Sequence, residues 1–250
     1  MKKNIPNFLT LMNVLAGSLA VVFTLDNQWP TMALLVLAGL IFDFLDGLSA
    51  RALKVQSKLG LQLDSLADMV TFGLVPGIVM YQLFTMSLGV SQEINSGSGE
   101  EALRLSAVLP FAGFAVTLAS AVRLARFNID ERQTTSFIGL PTPANALLVV
   151  SLPMILLYNG NDALNNIILN PWFLFVHTTL SCYLLNAPIP LFSLKFKSWG
   201  FKDNSLRYIF LFVCLFCIGT MKFLSVPVII LIYLLMSLFF FRPAAKNSTG

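Results

Sequence analysis

Four aspartates stand where an apolar chain has least use for them. Asp43 and Asp46 lie near the end of one long hydrophobic run, and Asp64 and Asp68 near the start of the next. An acidic side chain costs about 2.5–3.5 kcal/mol at the centre of an inserted helix, and less towards its ends. Four in one hairpin need a compensating charge. Asp43 and Asp46 are spaced i,i+3 and Asp64 and Asp68 i,i+4, so on helices each pair shares a face. Two adjacent antiparallel helices would gather all four carboxylates. Without a cation they would repel or share protons. An all-oxygen donor set with no His or Cys nearby favours hard ions such as Mg²⁺ or Mn²⁺ over zinc. The alternative is that Arg51, Lys54 and Lys58 neutralise the acids directly, with no metal. Gly47, Ala50 and Gly60 are small residues on or near the same faces, which lets a ligand approach the backbone. Arg51, one turn beyond Gly47, suits a phosphate.

The elements that must position these groups are membrane helices. Of the 250 residues, 56 % are hydrophobic and 11 % charged, against about 25 % charged in a typical soluble domain. The mean hydropathy is +0.78. Hydrophobic runs recur at the length needed to cross a hydrocarbon core of about 30 Å. They do not alternate as barrel strands do. The fold class expected is an all-α polytopic bundle forming a single membrane domain (1–250). Eight spans are expected, near 8–25, 31–51, 63–86, 103–125, 143–158, 172–192, 205–221 and 224–241. The first is too long for the apolar part of a cleaved signal peptide.

Charge tests the count. With eight crossings, one side carries Lys2, Lys3, Arg51, Lys54, Lys58, Arg123, Arg126, Arg132, Lys195, Lys197, Lys202, Arg207, Arg242 and Lys246. The other carries Arg104 and Lys222, so fourteen of the sixteen basic residues fall together. By the positive-inside rule that side is cytoplasmic, with both termini on it. The net charge of +4 is thereby explained without a nucleic acid partner.

Other polar features read as structural. Cys182, Cys214 and Cys217 lie inside apolar runs, and the one CxxC spacing has no partner pair to complete a metal site. His177 is expected to be buried and hydrogen-bonded within its helix. The connection near 87–102 reads as a solvated outer loop, and the tail after Arg242 as frayed.

The segment Asp43-Phe-Leu-Asp46-Gly47-Leu-Ser-Ala50-Arg51, followed after eight residues by Gly60, then Asp64 and Asp68, resembles the full signature of the CDP-alcohol phosphotransferase family. Three further stretches resemble that family's serine-using branch, the phosphatidylserine synthases. They are Pro6-Asn7-Phe-Leu-Thr10-Leu-Met-Asn13, Arg123-Leu-Ala-Arg126-Phe127-Asn128 and Phe137-Ile-Gly139-Leu-Pro141-Thr-Pro143. Residues 1–145 then form the catalytic core, and 146–250 supply further membrane helices.

The resemblance implies that Asp43, Asp46, Asp64 and Asp68 bind two divalent ions, and that Asp68 also acts as general base. Gly47, Ala50 and Gly60 would line the nucleotide pocket, with Asn7, Thr10 and Arg51 as further nucleotide or lipid contacts. Arg123, Arg126 and Asn128 would receive the acceptor or a phosphate, unless the arginines are simple interface anchors. CDP-diacylglycerol and L-serine follow as substrates and membrane lipids as surroundings, with a homodimer common in the family. The setting implied is a bacterial cytoplasmic membrane, the active site facing the cytoplasm. A sister enzyme using glycerol 3-phosphate or inositol phosphate is the nearer alternative. A cation- or proton-coupled transporter is the more distant one, since its carboxylates belong at the midplane between repeats that this chain lacks.

Overall fold

The computed structural model describes residues 4–89, 107–129, 137–191 and 200–240. Helices α1 (Ile5–Leu25), α2 (Trp29–Ala52) and α3 (Lys58–Asp68) come first. A π-helical turn (Met69–Leu74) joins α3 to α4 (Val75–Ser87), and a 3₁₀ turn (Leu109–Phe114) opens α5 (Ala115–Ile129). The remaining helices are α6 (Thr142–Tyr158), α7 (Asp162–Ile168), α8 (Pro171–Asn186), α9 (Phe201–Met221) and α10 (Ser225–Phe240). The boundaries have local causes. Proline occupies the first turn of α1, α2, α4, α6 and α8, where its missing N–H costs nothing. Asn27 and Lys54 hold left-handed backbone, φ 55° and 53°, just past the ends of α1 and α2. There the amides of Gln28 and Val55 donate back to the carbonyls of Phe23 and Ala50, at 2.9 and 3.0 Å. Each is a Schellman closure that turns the chain within a few residues.

The π turn has a cause as well. Pro76 has no N–H to offer Phe72, and its ring would strike that carbonyl in a regular helix. Widening the preceding turn, where Val75 N–H bonds Val70 O, accommodates it directly behind Asp68.

Hydrogen bonds at the two ends of the bundle show successive helices reversing. At one end Thr10 meets Asp46, Ser65 meets Asn128, Arg123 meets Thr142 and the Leu140 amide meets the Leu184 carbonyl. At the other, Gln82 donates to the Leu25 carbonyl, Ser87 to that of Leu169 and Lys222 to that of Tyr158. Helices stand at all eight expected places. By length and apolarity, five helical segments among the described residues qualify as membrane-crossing, and a bent pair at 64°, α7 with α8, makes a sixth. The last of the five, Asn204–Phe239, runs 36 residues. It is interrupted at Lys222, φ 50°, and folds back, because Phe210 packs on Tyr233 with ring centroids 5.6 Å apart. In a straight helix, residues so separated would lie about 35 Å apart.

Three details depart from the sequence reading. Helix α3 starts at Lys58 rather than 63, because Ser57 caps it by accepting from the Gly60 amide at 3.0 Å. The span expected to reach 192 ends at Asn186, and Pro190–Leu191 instead pairs antiparallel with Phe137–Ile138. His177 is half-buried, its ring nitrogens out of reach of solvent, and it is not hydrogen-bonded among the described residues. The ring packs against Phe173 at 5.9 Å. The outer loop near 87–102 and the tail after Arg242 lie almost wholly or wholly outside the described residues.

Packing is arranged for a lipid solvent. Leu11, Leu15, Leu19 and Val22 on α1, Leu34, Leu37, Ile41 and Phe44 on α2, and Phe212, Leu215, Phe216 and Ile218 on α9 face outward and exposed. Inside, Val36, Phe72, Val79, Met80, Phe84, Val116, Val149 and Leu174 form the core. Small residues bring the helices together, since lipid provides no hydrophobic drive between them. A Cβ on Gly17 would overlap the Thr71 hydroxyl. One on Gly39 would come within 2.7 Å of Thr71 Cγ2 and 2.8 Å of Asn13 Oδ1. These two glycines therefore set the spacing of α1, α2 and the π turn beneath the aspartates. Gly39→Val should destabilise by about 1–3 kcal/mol from overpacking, read as a lower thermal midpoint in detergent. Leu37→Val, on the lipid face, should leave that midpoint within error.

Candidate active site

The two acidic pairs do converge. Side-chain oxygens of Asp43, Asp64 and Asp68 all lie within 4.8 Å of one another, each residue half-buried. Three carboxylates at that distance in an apolar bundle have an arrangement that could hold a metal ion. One observation bears on the fit directly. Asp68 Oδ1 is buried with no hydrogen-bond partner among the described residues, so its lone pairs are open to a cation or a proton. The donors are all carboxylate oxygens, which suits a hard divalent ion.

Asp46 stands beside this trio with a separate anchor. It is 5 % exposed, and the Thr10 hydroxyl donates to its Oδ2 at 2.5 Å. That bond ties α1 to α2 and fixes the carboxylate's rotamer at the wall of a cavity of about 590 Å³. The same cavity is lined by Asn7, Thr10, Gly47, Ala50, Arg51, Gly60 and Asp64. Every residue that the sequence pointed to as a nucleotide contact therefore meets in one place. Its walls come from the start of α1, the end of α2 and the start of α3, the last two joined by the tight Lys54 turn. Arg51 Nε bonds the Gly47 carbonyl at 2.9 Å, which holds its guanidinium along the rim.

The three acceptor candidates separate. Arg123 turns inward: it is 8 % exposed, its Nη1 donates to Thr142 Oγ1 at 2.7 Å, and its charge acts on Asp68. Its Nε has no partner among the described residues. Arg126 is exposed. Asn128 is half-buried and exchanges hydrogen bonds with Ser65 at 2.9 and 3.1 Å, which pins the end of α5 against α3 between the two aspartates of that helix. Arg123, and not Arg126, is the cation that the fold brings to the carboxylates.

Residues 3–183 match the sequence profile of the CDP-alcohol phosphatidyltransferase family. The chain belongs to that family. It is similar to a CDP-diacylglycerol–serine O-phosphatidyltransferase of Helicobacter pylori strain J99, 35 % identical over 147 residues that cover 58 % of this chain and 55 % of the relative. The protein of that name from Mycobacterium bovis is 30 % identical over 198 residues, 75 % of this chain and 60 % of the relative. That from Bacillus subtilis is 31 % identical over 152 residues, 59 % and 74 % respectively. The chain thus spans little more than half the length of the first of these relatives.

The residues that sequence reasoning left out belong to the loop between α2 and α3. Gln56 and Ser57 line the cavity alongside the motif residues, as does Lys58 at the start of α3. The signal available was Ser57, three residues before Gly60, an N-cap spacing. Ser57 Oγ would lie 3.2 Å from a Cβ on Gly60, and Asn7 Oδ1 3.3 Å, so cap, glycine and α1 are packed as a unit. Ser57→Ala should cost about 1 kcal/mol through the lost cap. The check is a small drop in thermal midpoint with weaker cytidine nucleotide binding by calorimetry, whereas Ser57→Asp should keep the midpoint.

Proposed function

We propose that this chain transfers the phosphatidyl group from CDP-diacylglycerol to L-serine, giving phosphatidylserine and CMP. The observation that carries this reading is the meeting of a carboxylate cluster with a nucleotide-sized cavity lined by motif residues, in a chain of this family. The relatives named above carry the matching activity in their names. The protein sits in a bacterial cytoplasmic membrane as eight crossings, with its termini and the cavity facing the cytoplasm. There cytidine and serine arrive from water while acyl tails stay in lipid. Residues 1–145 carry the chemistry.

Asp43, Asp46, Asp64 and Asp68 would hold two divalent ions, Mg²⁺ or Mn²⁺. When bound, such ions neutralise diphosphate charge and act as Lewis acids toward its oxygens. The chain's own residues do the rest. Gly47, Ala50 and Gly60 admit the nucleotide close to backbone, with Asn7 and Thr10 beside it and Arg51 on the rim for a phosphate. Arg123 receives the serine carboxylate, and Arg126 draws anions toward the mouth. Asp68 takes the proton of the serine hydroxyl at Oδ1. The hydroxyl oxygen bonds to the phosphorus carried by diacylglycerol, the bond from that phosphorus to the bridging oxygen breaks, and CMP leaves. A neutral hydroxyl is a weak nucleophile, so a carboxylate in reach raises its reactivity.

The sister reading, with a phosphorylated alcohol as acceptor, asks for several cations around a dianion. Among the described residues Arg123 alone is buried beside the carboxylates, which favours a zwitterion carrying a single carboxylate.

Purified protein given CDP-diacylglycerol and a panel of alcohols should release CMP with serine, stop in EDTA and resume with Mg²⁺ or Mn²⁺. Turnover that persists in chelator, or consumption of glycerol 3-phosphate in place of serine, would refute the assignment. Asp68→Asn should lower kcat by roughly 10²–10⁴-fold, the usual worth of a positioned base, with nucleotide binding kept. Arg123→Ala should raise KM for serine more than KM for CDP-diacylglycerol. Cysteines at positions 56 and 160, at opposite ends of the bundle, should label from opposite sides of sealed vesicles, 56 from the cytoplasm.

A further inference from the structure

Beneath the carboxylates lies a second polar layer that no helix needs for itself. Asn13 stands one turn beyond Thr10 on α1, Ser120 one turn before Arg123 on α5, and Asn145 one turn beyond Thr142 on α6. Because Thr10 bonds Asp46 and Arg123 bonds Thr142, these three residues fall one helical turn, about 5.4 Å, deeper than Asp46 and the Arg123–Thr142 pair. Contacts confirm the level. The Thr71 hydroxyl, one turn past Asp68, donates to the Asn13 carbonyl at 3.0 Å. A Cβ on Gly39, one turn before Asp43, would lie 2.8 Å from Asn13 Oδ1, and one on Gly73 would lie 3.3 Å from Ser120 Cβ. Helix α6, which carries Asn145, packs on both α2 and the π turn.

Asn13, Ser120 and Asn145 are each fully buried. Both side-chain amide atoms of Asn13, both of Asn145, and the Ser120 hydroxyl have no hydrogen-bond partner among the described residues. Five orphaned polar atoms in one layer of a bundle surrounded by lipid are a standing cost, because each has lost water and gained nothing. In a protein interior such groups are satisfied by something that arrives. The layer is neutral and offers three side-chain oxygens as acceptors beside two amide N–H₂ donors, and above it stand one anionic face, Asp68, and one cation, Arg123.

We propose that Asn13, Ser120 and Asn145 form the floor of the acceptor site and receive the ammonium group of an amino alcohol, with its hydroxyl directed up to Asp68 and its carboxylate to Arg123. This rests on the acceptor reading given above and deepens it, by assigning discrimination between an ammonium and other polar substituents to residues outside the family signature. Amide and hydroxyl oxygens accept from an ammonium without a charge to desolvate. To a phosphate dianion the same residues present only neutral amide and hydroxyl donors, with no cation among them.

The test uses the full chain in lipid nanodiscs, with KM measured separately for serine and CDP-diacylglycerol. Glycerate, which carries a hydroxyl in place of the ammonium, serves as comparison acceptor. Asn145→Leu and Asn13→Leu should each raise the serine KM about tenfold or more, the loss expected where a site built for a polar group loses its partner. The KM for CDP-diacylglycerol should stay within about twofold and the preference for serine over glycerate should fall. The thermal midpoint should hold or rise, because an orphaned amide has been removed. If a leucine variant does not accumulate, Asn145→Ala and Ser120→Ala carry the same comparison. A lowered midpoint with unchanged serine KM would make the layer structural. An unchanged KM with a raised midpoint would mean that it holds only water. Either outcome overturns the proposal while serine turnover by the unaltered chain still stands. A chain that takes no serine at all would bring down the parent reading and this one together, a result recognisable before any variant is made.

Discussion

Everything in this bundle answers to the cost of holding carboxylates in an apolar helix pair. Asp43, Asp64 and Asp68 crowd within 4.8 Å, where like charges repel and water is scarce. Among the described residues no arginine or lysine pairs with them closely enough to cancel that repulsion. Arg51 turns its Nε to a backbone carbonyl, and Arg123 gives one nitrogen to Thr142. The sequence left two ways to compensate the acids, ion pairing or a bound metal, and the geometry supports the second. A site of this kind holds stored unfavourable energy until a cation and a substrate arrive, which is the usual condition of a functional cluster inside a membrane.

The surrounding helices are built to keep that cluster from relaxing. Gly17 and Gly39 let α1, α2 and the π turn approach so closely that the aspartates cannot spread. The Schellman turn at Lys54 and the Ser57 cap fix the short connection between the two acid-bearing helices. Behind Asp68, Pro76 enforces a π turn, a feature that recurs at functional sites because it re-aims a side chain without breaking the helix. The Asn128–Ser65 pair then clamps α5 onto α3 between Asp64 and Asp68. Rigidity here is local and polar, while the lipid-facing surface is plain leucine, isoleucine and phenylalanine.

The site is also divided by depth. The cavity proposed for a nucleotide opens at the ends of α1, α2 and α3, Asp46 and Asp64 line it, and the buried Arg123 lies beside Asp68. That order matches the proposed substrates, with one component soluble, one anchored in lipid and the reacting phosphate between them. A transporter site would ask for polar groups at the midplane between repeated halves; this cluster is at one end of the bundle.

The membrane class, the helix positions and the acidic pairs were legible in the sequence because they rest on local properties: run length, charge placement and i,i+3 or i,i+4 spacing. The grouping of Asn7, Thr10, Gly47, Ala50, Arg51 and Gly60 was legible only through the family signature, since periodicity says nothing about which helix ends meet. Tertiary structure alone decided that Thr10 bonds Asp46, that Arg123 turns inward while Arg126 stays exposed, and that His177 lacks the partner expected of it. It also decided that Gln56, Ser57 and Lys58 line the cavity, and that Asn13, Ser120 and Asn145 share one buried layer. Each of these depends on contacts between residues from about twenty to more than a hundred positions apart, or on which way a helix is rotated about its axis. Sequence spacing determines which residues share a face. Only the packing of five helices determines what that face looks at.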